Sequence, residues 1–335
     1  MNQLVFSEKI IDLHGKSKIL QICIGDIVDC RDEEIDYLII SAFPGDYMPT
    51  ARSLIGRLSA EGISVDTLSR SIERDYRDRW HCWISKPIVH RTQPIKQIVC
   101  FENPYESNPA NLLGHIFRGM RDYLMENNRR KAGLIRMPLL ATGDQGYSQL
   151  AILKELIRQT YLHLRTVEAI ERVQIFLRPG NPELHALLVA AGIEIRECRL
   201  EILAAPQSRI YDYFLSYRHE NQDMKDQLVS RLRERLPESR IFVDKDDLLP
   251  GSNWKISLYQ AMARSNHAIC LATESYLESP ECLDEFHLAI NLNYKNSGYL
   301  IPLLSLKKRD LSDFSRWAGR IHWKNIGYPP LFSNL

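Results

Sequence analysis

The sequence predicts an α/β protein of two domains, and three observations carry that prediction. The chain of 335 residues is about twice the usual single-domain length. Short apolar runs alternate with longer amphipathic stretches along it. The alternation pauses at a proline-bearing stretch over residues 200–209 and then starts again. The boundary is placed after residue 205, giving domains over 1–205 and 206–335.

The apolar runs lie at residues 19–24, 37–42, 95–101, 134–139 and 173–177, and again at 213–216, 240–243, 267–272 and 299–304. Each has the length of a strand. Between them, residues 111–127, 149–164 and 224–236 have a helical pattern. In the second of these, Leu150, Leu153, Ile157, Tyr161 and Leu164 recur at three- and four-residue spacing, which gives a helix one apolar face to lay on a sheet. No internal repeat or low-complexity tract is visible, and the two halves do not resemble each other.

Composition excludes several classes. Lys plus Arg number 43 and Asp plus Glu 42, so there is no overall basic field to hold a nucleic acid. The seven cysteines, Cys23, Cys30, Cys82, Cys100, Cys198, Cys270 and Cys282, are odd in number and scattered, with no C-x-x-C pair. That pattern argues for reduced thiols and against structural zinc. The amino terminus lacks the apolar core of a signal peptide, and no stretch approaches the roughly 18 apolar residues of a membrane span. The expectation is a cytoplasmic protein with no membrane and no nucleic-acid partner.

In the second half, Phe214-Leu215-Ser216-Tyr217-Arg218 reads as a buried strand that ends in polar residues and leads into an amphipathic helix. Side chains just past a strand's carboxyl end line the crevice of an open α/β sheet. A second strand at residues 239–244 is followed by a Pro250-Gly251 turn, with Ser252 or Asn253 placed to cap the next helix. The third element runs from Ile269 through Ser279-Pro280-Glu281-Cys282 to Glu285 and Phe286.

Taken together these three motifs resemble a TIR domain: the opening strand, a BB loop over residues 244–254, and the Ser-x-x-Cys turn with its glutamate-bearing helix. The resemblance covers roughly residues 209–326 and implies a flavodoxin-like parallel sheet. Many TIR domains cleave NAD at the nicotinamide–ribose bond, and the family's essential glutamate falls on Glu285. A carboxylate suits that chemistry, because loss of nicotinamide leaves an oxocarbenium-like ribose whose positive charge it stabilises. NAD would be the substrate, with no cofactor and no metal. The same resemblance places Tyr217, Arg218, Phe242, Asp244, Trp254 and Cys282 around the nucleotide. Glu281 stands where many enzymatic members carry tryptophan. The plainer readings are that Glu285 is a solvated helix carboxylate, Phe242 and Cys282 are packing groups, and Trp254 covers its own helix. TIR domains also serve as noncatalytic adaptors that meet through the BB loop, which implies a homo-oligomer.

In the first half, glycines follow two strands, in Ile24-Gly25-Asp26-Ile27 and in Met137-Pro138-Leu139-Leu140-Ala141-Thr142-Gly143-Asp144-Gln145-Gly146-Tyr147. A glycine loop between strand and helix lets backbone N–H groups approach a diphosphate. The pair resembles the loops of a macrodomain, which implies a mixed-sheet α/β sandwich holding an ADP-ribose-type ligand. Asp26 and Ile27 would contact adenine, and Thr142, Gly143, Asp144, Gln145, Gly146 and Tyr147 would surround the phosphates. The plainer reading is that Gly143 and Gly146 only permit a tight turn. Macrodomains that remove ADP-ribose carry an Asn-Ala-Ala-Asn stretch where this chain has Ile40-Ser41-Ala42-Phe43. The domain is therefore expected to read a nucleotide, or to be a structural relative, and not to hydrolyse one. Together the resemblances imply an NAD-cleaving enzyme under the control of a nucleotide-sensing domain, in bacterial immunity.

Overall fold

Parallel strands covered on both faces read as unbroken apolar runs, and the runs of this sequence form such strands. The computed structural model describes residues 2–12, 15–29, 33–51, 53–89, 94–126, 131–203, 210–243, 254–295 and 298–305, of which 200–203, 254–257, 291, 294–295 and 304–305 are described in backbone only. The chain divides into two units, Met1–Leu200 and Glu201–Leu335. The expected boundary after residue 205 falls outside the described residues.

The first unit runs β1 (Gln3–Ile11), β2 (Ser17–Ile24), β3 (Ile35–Ala42), α1 (Leu54–Ala60), α2 (Val65–Ser69), β4 (Ile72–Tyr76), α3 (Arg77–Trp80), β5 (Cys82–Ser85), β6 (Ile95–Glu102), α4 (Leu113–Glu126), β7 (Ile135–Pro138), α5 (Gln149–Thr166), β8 (Arg172–Leu177) and α6 (Leu184–Leu203). Its strands form one eight-stranded sheet in the order β1-β2-β8-β7-β3-β6-β5-β4. β2, β8, β7, β3 and β6 pair in parallel, whereas β1, β5 and β4 join antiparallel at the two sides. The three antiparallel strands have no counterpart among the runs expected from sequence. β4 reads Ile-Glu-Arg-Asp-Tyr, β5 has 4 residues, and β1 leaves Leu4 and Ile11 exposed.

The sheet is sandwiched between helices. On one face Leu38, Ile40, Ile98 and Cys100 pack with Ile55, Leu58 and Val65 of α1 and α2. On the other, Tyr37 meets Tyr123 of α4 edge-on at 6.3 Å. α5 starts where Ser148 Oγ accepts from the Ala151 N–H, and it buries Leu153, Ile157, Tyr161 and Leu164. Leu150, expected on the same stripe, is exposed in the first turn.

The second unit runs β9 (Tyr211–Ser216), α7 (Gln222–Arg235), β10 (Ile241–Val243), α8 (Trp254–Ala263), β11 (Ser265–Thr273), α9 (Glu274–Glu278), α10 (Pro280–Lys295) and β12 (Leu300–Ser305). All its strand pairs are parallel, in the order β10-β9-β11-β12. That is the flavodoxin-like order, with its switch point between β9 and β11. Leu215 and Tyr217 pack with Leu228, Val229 and Leu232 of α7 on one face of the sheet.

One buried carboxylate in the first unit depends on neutral donors. Glu102, at the end of β6, is buried, and its Oε1 accepts from Trp83 Nε1 at 2.8 Å and from the Tyr47 hydroxyl. Burial and the bond to Glu102 hold the Tyr47 phenol well above its ordinary pKa. Trp83→Phe keeps a ring in place but deletes one donor to this carboxylate, so it is expected to lower the unfolding free energy by at least about 1.5 kcal/mol. Denaturant melts check this, and a wild-type midpoint at unchanged slope would refute it.

Candidate functional site

In the first unit the parallel strands β2, β8, β7 and β3 all end at one edge, and a cleft of about 1040 Å³ opens there. Both glycine-bearing loops reach it. Gly25, Asp26 and Ile27 line it after β2, and Ala141, Thr142, Gly143, Asp144 and Gln145 after β7. Gly146 and Tyr147 do not. The Tyr147 hydroxyl donates to the Ser107 carbonyl at 3.1 Å, which turns that side chain toward another loop.

The two glycines of the second loop have different reasons to be glycine. Gly146 has φ +71°, a left-handed conformation in which L side chains are strained. Gly143 has an ordinary φ, and among the described residues no atom beyond its two chain neighbours lies within 4 Å of the place where its Cβ would stand. The fold does not require glycine at 143, and its missing side chain leaves open space beside the loop. Ala141 sits at φ 59°, unusual for a residue with a Cβ. It is held there by an N–H bond to Ser41 Oγ at 2.9 Å and by its carbonyl, which accepts from the Tyr147 N–H at 3.2 Å.

Most polar groups of the cleft already have partners. Asp26 Oδ1 accepts from the Val28 N–H at 3.0 Å, and its Oδ2 pairs with Arg57 at 3.0 Å. Asp144 Oδ2 accepts from the Thr50 hydroxyl at 2.7 Å, and Thr142 Oγ1 donates to the Leu139 carbonyl at 2.8 Å. Gln145 differs, because its Oε1 is buried with no hydrogen-bond partner among the described residues. A buried acceptor without a donor costs free energy, which a ligand hydroxyl or amine would relieve. Ile27 is buried in the core beneath the loop.

The Asp26 loop is held from below. Arg136, buried on β7, donates to the carbonyls of Ile27 at 3.4 Å and Asp29 at 3.2 Å and pairs with Glu33 at 3.1 Å. Arg172 also pairs with Glu33, at 2.7 Å, and the two guanidinium groups outweigh partial burial to hold the Glu33 carboxyl below its ordinary pKa. None of these three was picked out from sequence, since the contacts join strands that pair only in the folded sheet. Sequence reasoning also passed over Arg57, Thr50 and the loop Arg178-Pro179-Gly180-Asn181-Pro182, all of which line the cleft. The last carried a readable signal: an arginine and a Pro-Gly-Asn-Pro turn directly after an apolar run.

In the second unit the corresponding position is the switch point at the ends of β9 and β11. Asn221 ties the two ends together, its Oδ1 accepting from the hydroxyls of Thr273 at 2.8 Å and Ser275 at 3.1 Å. α10 starts with Ser279 ahead of Pro280, and Ser279 Oγ accepts from the Cys282 N–H at 3.3 Å. The Ser-x-x-Cys spacing is thus an N-cap with proline in the first helical position. Cys282 Sγ lies 3.7 Å from the Tyr217 carbonyl. Glu285, one turn further on the same helix face, is 3% exposed.

The charge of Glu285 acts on the side chains of Cys282, Cys270 and Tyr276. Burial first, then the charge of Glu285, pushes the Cys282 thiol up to about 12. Tyr276 is also held well above its ordinary value, mainly by burial, and its hydroxyl lies 2.6 Å from Ser216 Oγ. Arg218 is partly exposed, 3.5 Å from Glu220. Tyr217 is buried, with the Lys225 ammonium 5.7 Å from its ring centroid. Phe242 is buried and stacks on Phe214 at 5.3 Å, inside the sheet layer. Asp244 and the rest of the 244–253 loop lie outside the described residues, as does the side chain of Trp254. Among the described residues no cluster of His, Cys, Asp or Glu has the makings of a metal site, and no helix is long and apolar enough to cross a membrane.

Residues 214–327 match the TIR domain family. No curated protein matches the chain. Among solved structures, the Oceanobacillus iheyensis macrodomain with ADP is 14% identical at a TM-score of 0.44, over 60% of this chain and 99% of that one. The Trypanosoma brucei macrodomain in complex with ADP-ribose is 14% identical at a TM-score of 0.38, over 52% of this chain and 69% of that one. A likeness at this level carries no functional inference for this chain.

The thiols supply a test of the site's chemistry. Cys23, Cys82, Cys100, Cys198, Cys270 and Cys282 form no disulfide and are all buried. Cys23 is pushed up to about 11 and Cys282 to about 12, burial being the main cause in both. A thiol reacts as thiolate, and a raised pKa keeps it protonated until the pH climbs toward that value. At pH 7 the folded protein is expected to leave Cys23 and Cys282 unmodified by iodoacetamide, with labelling rising only in denaturant. Peptide mass mapping reads this, and rapid native labelling of Cys282 would make it a reactive group.

Proposed function

We propose that the carboxy-terminal domain cleaves NAD at the nicotinamide–ribose bond, releasing nicotinamide and ADP-ribose or a cyclic ADP-ribose isomer, with Glu285 as the essential carboxylate. We propose further that the amino-terminal cleft binds an ADP-ribose-type ligand without hydrolysing it and thereby controls the enzyme, in a bacterial immune role.

The observation that carries the first part is the position of Glu285. It sits on the helix that covers the carboxyl end of β9, almost out of water, beside Cys282 and within the electrostatic reach that Arg218 also has on that thiol. Keeping a carboxylate out of water costs several kcal/mol unless it is compensated. A carboxylate in such a place attracts the positive charge that develops on ribose as nicotinamide departs. Arg218 follows close after β9 and is partly exposed, so it offers a cation at the same crevice, while the Tyr217 ring beside it is packed under α7. Cys282 fixes the helix against the Tyr217 carbonyl and stays protonated, which leaves the carboxylate as the acting group.

For the amino-terminal part, support comes from the meeting of both predicted loops in one cleft, the open space at Gly143 and the unpartnered Gln145 Oε1. No asparagine amide stands at Ile40-Ser41-Ala42-Phe43, where Ser41 instead anchors Ala141. A ligand that binds one state of the protein better than another shifts activity by that difference in affinity, which is how this domain would act as a sensor.

Glu285→Gln keeps the side-chain shape and removes the charge. It is expected to reduce NAD cleavage to below a tenth of wild type, a loss of at least about 1.4 kcal/mol of transition-state stabilisation, with a cooperative thermal melt showing that the fold is retained. Chromatography of nicotinamide and ADP-ribose species, run across protein concentrations because self-assembly through residues 244–254 belongs to the proposal, reads the result. Retained turnover would remove Glu285 from the essential role. Absence of product at every wild-type concentration would favour the adaptor reading instead.

A further inference from the structure

We infer that Arg178 is the cation that binds the diphosphate of the ligand in the amino-terminal cleft. The inference rests on the proposed binding of an ADP-ribose-type ligand there and assigns it a residue that neither glycine loop contains.

Among the described residues, five charged side chains line the cleft: Asp26, Asp46, Asp144, Arg57 and Arg178. Asp26 is neutralised by Arg57, which also pairs with Glu61. That leaves the carboxylates of Asp46 and Asp144, which accept from the Met48 N–H and the Thr50 hydroxyl respectively. Neither donor carries charge. Backbone amides of the 141–145 loop alone would have to hold a doubly negative diphosphate beside the Asp144 carboxylate, a repulsive arrangement. A cation is needed for the site to favour the anion, and Arg57 is already committed.

Arg178 meets that need. It is exposed, and its guanidinium makes no ion pair or hydrogen bond among the described residues. Its place in the sheet is equally informative. The cleft edge runs β2, β8, β7, β3, with neighbouring strands about 4.8 Å apart. Arg178 directly follows β8 and stands between the Asp26 loop on β2 and the glycine loop on β7. A ligand with its base at Asp26 and its phosphates at Gly143 must pass β8. The turn behind Arg178 is anchored, since Gly180 has φ +73° and Asn181 Nδ2 donates to Gln149 Oε1 at 2.5 Å, at the start of α5. The amino-terminal end of that helix adds a partial positive charge on the same side. A guanidinium takes two phosphate oxygens at once, and no other described cleft side chain is free to do so.

The test uses the full chain and three probes, ADP-ribose, ADP and adenosine, titrated by calorimetry into wild type, Arg178→Gln and Gly143→Val. Gly143→Val introduces a side chain into open space at an ordinary φ, so the fold tolerates it. Arg178→Gln is expected to weaken ADP-ribose and ADP by about tenfold or more, to leave adenosine unchanged, and to flatten the salt dependence of the first two. Arg178→Lys is expected to restore part of the affinity, as a point charge lacking the two-pronged contact. If Gly143→Val weakens ADP-ribose and Arg178→Gln does not, the cleft binds the ligand and the Arg178 assignment is wrong. Equal losses for adenosine and ADP would place Arg178 on the base and overturn the diphosphate assignment. If wild type binds none of the probes, or ADP-ribose binding is unmoved by Gly143→Val, the cleft reading itself fails.

Discussion

Parallel strand pairing is the constraint on which both candidate sites depend. Strands that run the same way deliver their carboxyl ends to one edge, where the ladder stops and the chain must turn away. In the first unit this brings Gly25, Phe43, Leu139 and Arg178 to one cleft from positions far apart in sequence. In the second it brings Tyr217 and Thr273 together at the point where the strand order reverses. Neither site is built into a single motif. Each is a by-product of a sheet whose faces are covered by helices and whose end is left open.

Buried polar groups then decide which loops have one conformation. Arg136 is almost wholly buried, yet it spends its donors on the Ile27 and Asp29 carbonyls and on Glu33, so the Asp26 loop is fastened to β7 and not left to solvent. Glu102 plays the complementary part at the end of β6, accepting from Trp83 and Tyr47. Such networks are costly when half satisfied and rigid when complete. Ala141 at positive φ shows the outcome: an unfavourable backbone conformation that persists because Ser41 and Tyr147 hold both of its polar groups. Glu285 belongs to the same class of group, with its charge kept close to two thiols and a phenol.

The sequence by itself determined the α/β class, the central parallel strands, and the two loops and one helix that carry the candidate residues. It could do so because strands buried on both faces are continuously apolar, whatever they pair with, and because a capping serine before proline or a glycine pair after a strand is a local signal. It did not reveal β1, β4 and β5, since antiparallel side strands that are short, charged or half exposed have no apolar run to show. Only the tertiary structure separated Gly143, with open space beside it, from Gly146, whose backbone needs glycine, and turned Tyr147 away from the cleft. Only it showed that Asp26 and Arg57 neutralise each other while Arg178 stays uncommitted. Charge pairing and free space are relations between residues distant along the chain, and they come into being when the sheet sets strand order, which no local pattern encodes.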